Sequence, residues 1–161
     1  MTSLTPVLTT RNAEAAATFY RDAFGAVELS RSLAANDRLV VDLAIGGARF
    51  RVVDESPEAL NLSPESLGGT SVRLNLLVDD PDSVAAQAVA AGAVEIFPIA
   101  DQAYGLRQGR FEDPYGHHWL IGRPLRAQTS RHVSTSAPCT TSRRRRPKTR
   151  STPPRFSTSA R

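Results

Sequence analysis

The residues of this 161-residue chain that could do chemistry are charged and polar side chains recurring at alternate positions of strand-like segments. Alternate residues of a strand share one face of a sheet, so these segments have an apolar face and a polar face. The polar face mixes arginine, acid, amide and histidine side chains. We predict ligand-binding roles for Thr5, Asp42, Arg51, Arg73, Asn75, Tyr104, Arg110, Glu112 and His118.

The three arginines of this set, Arg51, Arg73 and Arg110, would suit a carboxylate, a phosphate or a planar electron-rich ligand, because a guanidinium donates paired hydrogen bonds. The alternative is that they pair with Asp42 and Glu112 on an ordinary solvated sheet face. No catalytic residue is predicted. The chain has no nucleophile beside a histidine and an acid in a strand-turn-helix context, and no glycine-rich phosphate loop.

Two aromatic residues stand near the polar set. Tyr104 lies in the loop-like segment DQAYGLR and could close over a ligand, although a surface position is an equal alternative. Trp119 alternates with Ile121 toward the apolar side, which favours a core position over stacking on a ligand.

The elements that would position these residues occur twice. The segment FGAVELS (24–30) recurs as AGAVEIF (91–97), and each copy follows a strand-like run and an alanine-rich helical run. Asn12 and Asp80 are suited to cap the two helices, Pro81 to open the second, and Gly25 to end the first. Strand-like runs then follow in each copy, and DPYG (113–116) predicts a type I turn between the last two.

The pattern predicts an α+β fold of two repeated βαβββ modules, at about 1–56 and 70–125, within one domain spanning 1–125. Each sheet is covered on one side by a helix, so we expect the helices outside and the other sides of the two sheets to form a shared cleft.

The segment 126–161 differs in composition from the rest, with ten basic residues and no Asp or Glu. Residues 1–125 have ten arginines against sixteen acids, a net charge of −6, so the overall +4 reflects this tail. Few apolar side chains are present, so we predict a disordered tail. The run RRRRPK (143–148) leaves open a nucleic-acid arm, but no aromatic residues interleave with it. We favour a tail without function, of the kind that results when GC-rich DNA is translated out of frame. We predict no nucleic-acid partner.

The chain shows no sign of secretion or membrane insertion. Its one cysteine, Cys139, lies in the tail and permits no intrachain disulfide. The N-terminal segment lacks the pattern of a signal peptide, and no apolar run approaches the ~18 residues that a membrane span needs. We predict a cytoplasmic protein with no membrane partner.

Residues 1–125 resemble the glyoxalase/bleomycin-resistance/extradiol-dioxygenase group, the vicinal oxygen chelate superfamily, and within it the PhnB-like branch. The resemblance is carried by TPVLTTRNAEAAATFYRDAFGA (5–26), LGGTSVRLNLLVDDPDSVAAQAVAAGA (67–93) and YGLRQGRFEDPYGHHW (104–119).

In metal-dependent members of that superfamily, His, Gln or Glu side chains of the first and last strand of each module hold a divalent ion. By register, the resemblance places these positions near Thr5, Arg51, Arg73 and Leu120. A set with two cations and no imidazole or carboxylate does not suit such an ion, so we predict no metal and no cofactor.

The resemblance also implies a function. Members without metal bind antibiotics in a groove shared by a homodimer, so we predict a homodimer that sequesters a small organic molecule, an antibiotic or a metabolite, without catalysis. Two alternatives stay open. One is a lyase, isomerase or dioxygenase using a metal held by His118, Glu112 and Asp42, and the other is nucleic-acid association through the tail.

Overall fold

The computed structural model describes residues 2–125, and the predictions made for residues 126–161 lie outside this part of the chain. Helices and strands follow one another in two repeats of the same order. The strands are β1 (Val7–Thr10), β2 (Val27–Leu33), β3 (Leu39–Ile45), β4 (Ala48–Asp54), β5 (Arg73–Leu77), β6 (Val94–Asp101), β7 (Leu106–Glu112) and β8 (His118–Pro124). The α-helices are α1 (Ala13–Phe24), α2 (Pro64–Leu67) and α3 (Pro81–Ala90).

The strands form two sheets with matching topology. The first has the order β1-β4-β3-β2 and the second β5-β8-β7-β6. In each, the first and last strand of the repeat pair in parallel and the remaining neighbours are antiparallel. We call β1, α1 and β2–β4 module 1, and β5, α3 and β6–β8 module 2. This match confirms the predicted α+β architecture of two βαβββ repeats.

The predicted helix ends are confirmed by their capping contacts. The Asn12 side chain accepts a hydrogen bond from the amide of Ala15 (3.0 Å), and Asp80 accepts one from the amide of Ser83 (3.1 Å). Gly25 ends α1 with φ of 64°, a left-handed conformation that favours glycine. The connector between the modules contains the one-turn helix α2.

The apolar core joins both modules. Helix α1 packs on β3 and β4 and also on α3. Its Tyr20 is fully buried, with its ring centroid 5.5 Å from that of Trp119 in β8 and 5.4 Å from that of Phe50 in β4. Trp119 is 4% exposed, so its predicted core position is confirmed. Leu4 precedes β1 and is 93% exposed, so the alternation of apolar side chains before Val7 does not extend the core.

A buried carboxylate fixes the turn between β7 and β8. Asp113 accepts hydrogen bonds from the Tyr20 hydroxyl (2.7 Å) and the Trp119 indole (3.0 Å) through Oδ2, and from the amides of Tyr115 and His117 through Oδ1. The amide of Gly116 donates to the Asp113 carbonyl, as the predicted type I turn requires. One carboxylate therefore ties module 1 to the last hairpin of module 2.

Over residues 2–125, no helix is both long enough and apolar enough to cross a bilayer. The cytoplasmic location stays a prediction.

Candidate ligand-binding site

The outer face of each sheet is defined here as the face turned away from its helix. On the outer face of module 1 lies a cavity of about 660 Å³, which we call the Asp42 cavity. Three of the nine predicted site residues, Thr5, Asp42 and Arg51, line it. Its other walls are formed by Val7, Leu29, Ser30 and Arg49.

An ion pair occupies the middle of this outer face. Asp42 and Arg51 are cross-strand partners on β3 and β4. The Arg51 guanidinium donates to both carboxylate oxygens, from Nε to Oδ1 at 2.8 Å and from Nη2 to Oδ2 at 3.0 Å. The hydrogen bond from Arg51 outweighs partial burial and lowers the pKa of Asp42, with a further contribution from the Ser30 hydroxyl at 2.8 Å. Arg51 therefore pairs with Asp42 within the chain, which is the alternative that the sequence left open.

The outer face of module 2 is a grid set by strand register. Arg73, His118 and Glu112 lie side by side across β5, β8 and β7. The next row along the strands is made of Asn75, Leu120, Arg110 and Phe97. Adjoining this grid is a cavity of about 360 Å³, which we call the Arg110 cavity. Its walls include Arg73, Phe97, Gln102, Tyr104, Arg110 and Leu120.

Arg110 is not paired with Glu112, although the sequence left that open. Its Nε donates to Nδ1 of His118 at 3.0 Å, so the contact of Arg110 on this face is with an imidazole and not with a carboxylate. His117, the neighbour of His118, is 7% exposed and belongs to the opposite, helix-covered side. The two adjacent histidines thus point to opposite sides, as strand geometry predicts.

A series of hydrogen bonds between neutral polar side chains begins at Tyr104. Its hydroxyl donates to Oε1 of Gln108 at 3.2 Å, and Nε2 of Gln108 donates to Oδ1 of Asn75 at 2.9 Å. Gln102 donates to the Gln108 carbonyl at 3.1 Å. Gln108 is 5% exposed, so its amide is held in one orientation beneath the cavity.

The nine predicted residues fall into two groups within one chain. Thr5, Asp42 and Arg51 belong to module 1, and the other six belong to module 2. The Asp42 cavity and the Arg110 cavity have no lining residue in common. A ligand in either cavity of a single chain would contact one module's outer face.

The side chains at the positions of the family's metal ligands do not suit a divalent metal. The positions that the family resemblance implies carry the Thr5 hydroxyl, the Arg51 and Arg73 guanidiniums and the Leu120 side chain, none of them a good metal ligand. Within this part of the chain, no three His, Cys, Asp or Glu side chains are grouped to hold an ion. Asp42 lies on the other sheet from Glu112 and His118.

Some cavity residues were not predicted. Ser30 reaches Asp42 because a bulge shifts the register of β2 against β3 between Glu28 and Ser30. Phe97 lines the Arg110 cavity beside a similar irregularity in β6. A bulge has no clear sequence signal here, so strict alternation misses both residues. Gln102 could have been predicted, because it lies in the same loop as Tyr104.

Comparison with known proteins agrees with this architecture. The family model described as "Glyoxalase/Bleomycin resistance protein/Dioxygenase superfamily" matches residues 4–121. A Mycobacterium bovis protein described as uncharacterized is 38% identical over 128 residues, which cover 77% of this chain and 84% of the relative.

Two solved structures show the same fold. The X-ray structure of an Arabidopsis thaliana gene product has a TM-score of 0.60 at 30% identity, covering 74% of this chain and 97% of that one. The fosfomycin resistance protein FosX of Listeria monocytogenes, solved with Mn(II) and sulfate, has a TM-score of 0.57. At 15% identity, over 78% of this chain and 94% of that one, its likeness concerns the fold alone. With two βαβββ modules and a family match over most of its described residues, this chain belongs to the glyoxalase/bleomycin resistance protein/dioxygenase superfamily.

Proposed function

We propose that this protein belongs to the PhnB-like branch of the superfamily and that it binds and sequesters a small organic molecule, an antibiotic or a metabolite, without catalysing a reaction on it. Sequestration of this kind is what we expect of the members of the superfamily that bind antibiotics without a metal. The observation that carries the proposal is the chemistry of the outer faces. Each has a cavity with polar and charged walls, of about 660 and 360 Å³, a size that suits small ligands. The positions that would hold a metal carry a hydroxyl, two guanidiniums and an aliphatic side chain.

We further propose that the working form is a homodimer in which module 1 of one copy faces module 2 of the other. The edge strands β2 and β6 occupy equivalent places in the two sheets, and both expose apolar side chains. Val27 is 61% exposed in β2, while Val94 and Phe97 are each 59% exposed in β6. Exposed apolar side chains clustered on edge strands are typical of interaction surfaces. Pairing the two outer faces would combine the Asp42 and Arg110 cavities into one cleft.

The assembly is tested by sedimentation equilibrium of the full chain. Val27→Lys with Val94→Lys should convert the dimer to a monomer, because four lysines per dimer would have to be buried at the interface. Val89→Lys is the matched control, since Val89 is a 45% exposed apolar residue of α3 and should leave the dimer intact. A wild-type monomer at micromolar concentration would contradict the proposed assembly.

The binding function is tested by thermal-shift screening with antibiotics, metabolites and divalent metals, combined with metal analysis of the purified protein. A ligand that binds the folded state raises its melting temperature, so organic compounds should raise it by several degrees without added metal. About one tightly held divalent ion per chain, with turnover that requires it, would contradict the proposal. That result would favour the metal-dependent alternative with His118, Glu112 and Asp42 as ligands.

A further inference from the structure

The arginines of residues 2–125 divide into those with a carboxylate partner and those without one. Salt bridges join Arg11, Arg31, Arg38, Arg51 and Arg107 to acids, including Arg51 to Asp42 in the Asp42 cavity. Arg73 and Arg110 make no salt bridge within this part of the chain, and both line the Arg110 cavity. The two cavities therefore differ in number: within residues 2–125, the Asp42 cavity has one guanidinium without a salt bridge, Arg49, whereas the Arg110 cavity has two.

These two guanidiniums flank the same histidine. Arg73 is the cross-strand neighbour of His118 on β5, and Arg110 on β7 donates to its Nδ1 at 3.0 Å. That bond uses Nε of Arg110, so both terminal nitrogens of its guanidinium can donate to a ligand. Two guanidiniums that line one cavity suit a carboxylate or a phosphate-like group, because each donates charge-assisted hydrogen bonds to oxyanions.

The local charge fits an anionic ligand group. Glu112 lies in the same row, as the cross-strand partner of His118, and is the acid nearest to the pair in register. Two guanidiniums and one carboxylate leave a surplus of one positive charge. This surplus stands out in residues 1–125, whose formal charge is −6.

Beside the guanidiniums the wall of the cavity is apolar. Phe97 is the cross-strand partner of Arg110 and is 59% exposed. Leu120 is the partner of Arg110 on its other side, and Tyr104 lies farther along the same cavity. An apolar body attached to the anionic group would cover these side chains and remove their surfaces from water.

From these contacts we infer that the ligand carries an oxyanion (a carboxylate, a phosphonate or a phosphate) that binds Arg73 and Arg110, attached to a flat apolar body that packs on Phe97 and Leu120. This inference rests on the proposed binding function and specifies its ligand class. It also separates the roles of the arginines. Arg51 is committed to Asp42, whereas Arg73 and Arg110 bind the ligand.

The test compares three probes by isothermal titration calorimetry with the full chain: 2-naphthoate, 2-naphthyl phosphate and neutral 2-naphthamide. The two oxyanions should bind at least about tenfold more tightly than the amide, because charge-assisted hydrogen bonds are stronger than neutral ones. Arg73→Gln and Arg110→Gln should each weaken oxyanion binding about tenfold and change amide binding less than about twofold. Glu112→Gln should strengthen oxyanion binding a few-fold, because it removes a like charge.

Arg21→Gln is the control for net charge. Arg21 lies on α1, where it donates to Thr18, and its substitution changes the formal charge by the same amount. The Arg21→Gln variant should bind each of the three probes with an affinity within about twofold of that of the wild type. Arg110→Lys keeps the charge but loses the planar fork, and should bind the oxyanions with intermediate affinity. Thermal melts of each variant establish that it is folded.

The outcomes separate this inference from the proposed function. Equal affinity for the amide and the oxyanions, or equal losses in Arg21→Gln and Arg73→Gln, would overturn the oxyanion inference and leave a neutral small-molecule site standing. Absence of oxyanion binding at millimolar concentration would also overturn it, and the thermal-shift panel would then decide whether any organic ligand binds.

Discussion

At the scale of residues, the molecule contains two carboxylates with different roles. Asp42 is partly exposed and paired with Arg51, where a surface ion pair contributes little to stability. Asp113 is buried and accepts hydrogen bonds from two side chains and two amides. Burial alone would raise the pKa of Asp113, but interaction with the His117 side chain 3.5 Å away, together with the hydrogen bonds from Trp119 and Tyr20, outweighs it and lowers that pKa. Asp113 therefore contributes to folding, and Asp42 is available to the binding face.

The contribution of Asp113 predicts a pH-dependent effect of Tyr20→Phe. The substitution removes one hydrogen bond to a buried charge and should lower the free energy of unfolding at pH 7 by about 1.5 kcal/mol. The folded-state pKa of Asp113 lies below the unfolded value of about 3.9, so its stabilisation is present above that pH and is lost as the pH falls through the folded pKa. The difference between Tyr20→Phe and wild type should therefore shrink below about pH 4.

Urea unfolding at a series of pH values measures this difference. Tyr115→Phe is the control, because the Tyr115 side chain is only partly buried. It should cost less than about 0.5 kcal/mol at every pH. A cost for Tyr20→Phe that does not change between pH 7 and pH 3 would show that the hydroxyl stabilises the fold without regard to the charge of Asp113.

At the scale of elements, β7 and β8 approach each other closely where Gly122 stands opposite Gln108. A Cβ at position 122 would lie 2.6 Å from the Arg107 carbonyl oxygen and 2.8 Å from Cβ of Gln108. The Gln108 side chain extends from β7 to Asn75 on β5, with β8 between them. Because Gly122 has no side chain, Gln108 can cross β8 and form its hydrogen bond to Asn75 beside the Arg110 cavity.

We expect Gly122→Ala to destabilise the fold by about 2 kcal/mol, because backbone atoms of β7 would have to move. Gly47→Ala is the matched control. Gly47 lies in the β3–β4 hairpin without a left-handed conformation, and a Cβ there would meet no atom within 4 Å. Chemical denaturation should place the control within about 0.5 kcal/mol of wild type. Equal stability of the two variants would mean that β7 and β8 separate at little cost.

At the scale of the whole molecule, duplication creates two helix-covered faces and two outer faces. The helix-covered faces merge into one core through the contact of α1 with α3 and of Tyr20 with Trp119. The outer faces line separate cavities, so a second copy is the partner that we propose to complete each one. The two faces have diverged in chemistry. Within residues 2–125, the cavity of module 1 has an internal ion pair and one guanidinium without a salt bridge, Arg49, whereas the cavity of module 2 has two such guanidiniums.

Removal of residues 126–161 should leave folding and binding unchanged. The described core lies within residues 2–125, and β8 ends at Pro124. The melting temperature of the shortened chain should stay within about 2 °C of that of the full chain, and the affinity for an organic ligand should be equal. Loss of folding or of ligand binding would contradict our view of the tail. DNA affinity that depends steeply on salt and disappears with the tail would assign it a nucleic-acid role.

The sequence alone was sufficient for the repeat, the module topology and most element ends, because these depend on local signals. Asn12, Gly25 and Asp80 act within a few residues of their own position, and alternation places Trp119 in the core without knowledge of its partners. The ligand roles of the nine predicted residues stay predictions, because the identity of a binding site depends on a partner molecule.

Only the tertiary structure decided which arginine has an acid partner. Arg51, Arg73 and Arg110 are equivalent in the sequence, since each stands at an outward strand position. Cross-strand register pairs Asp42 with Arg51, whereas the Arg110 side chain reaches His118 in the neighbouring row. The bulge in β2 adds Ser30 to the Asp42 pair. These pairings join residues that are 8 to 12 positions apart on different strands. Register shifts carry no local signal, so the charge state of each outer face emerges only when the strands are in place.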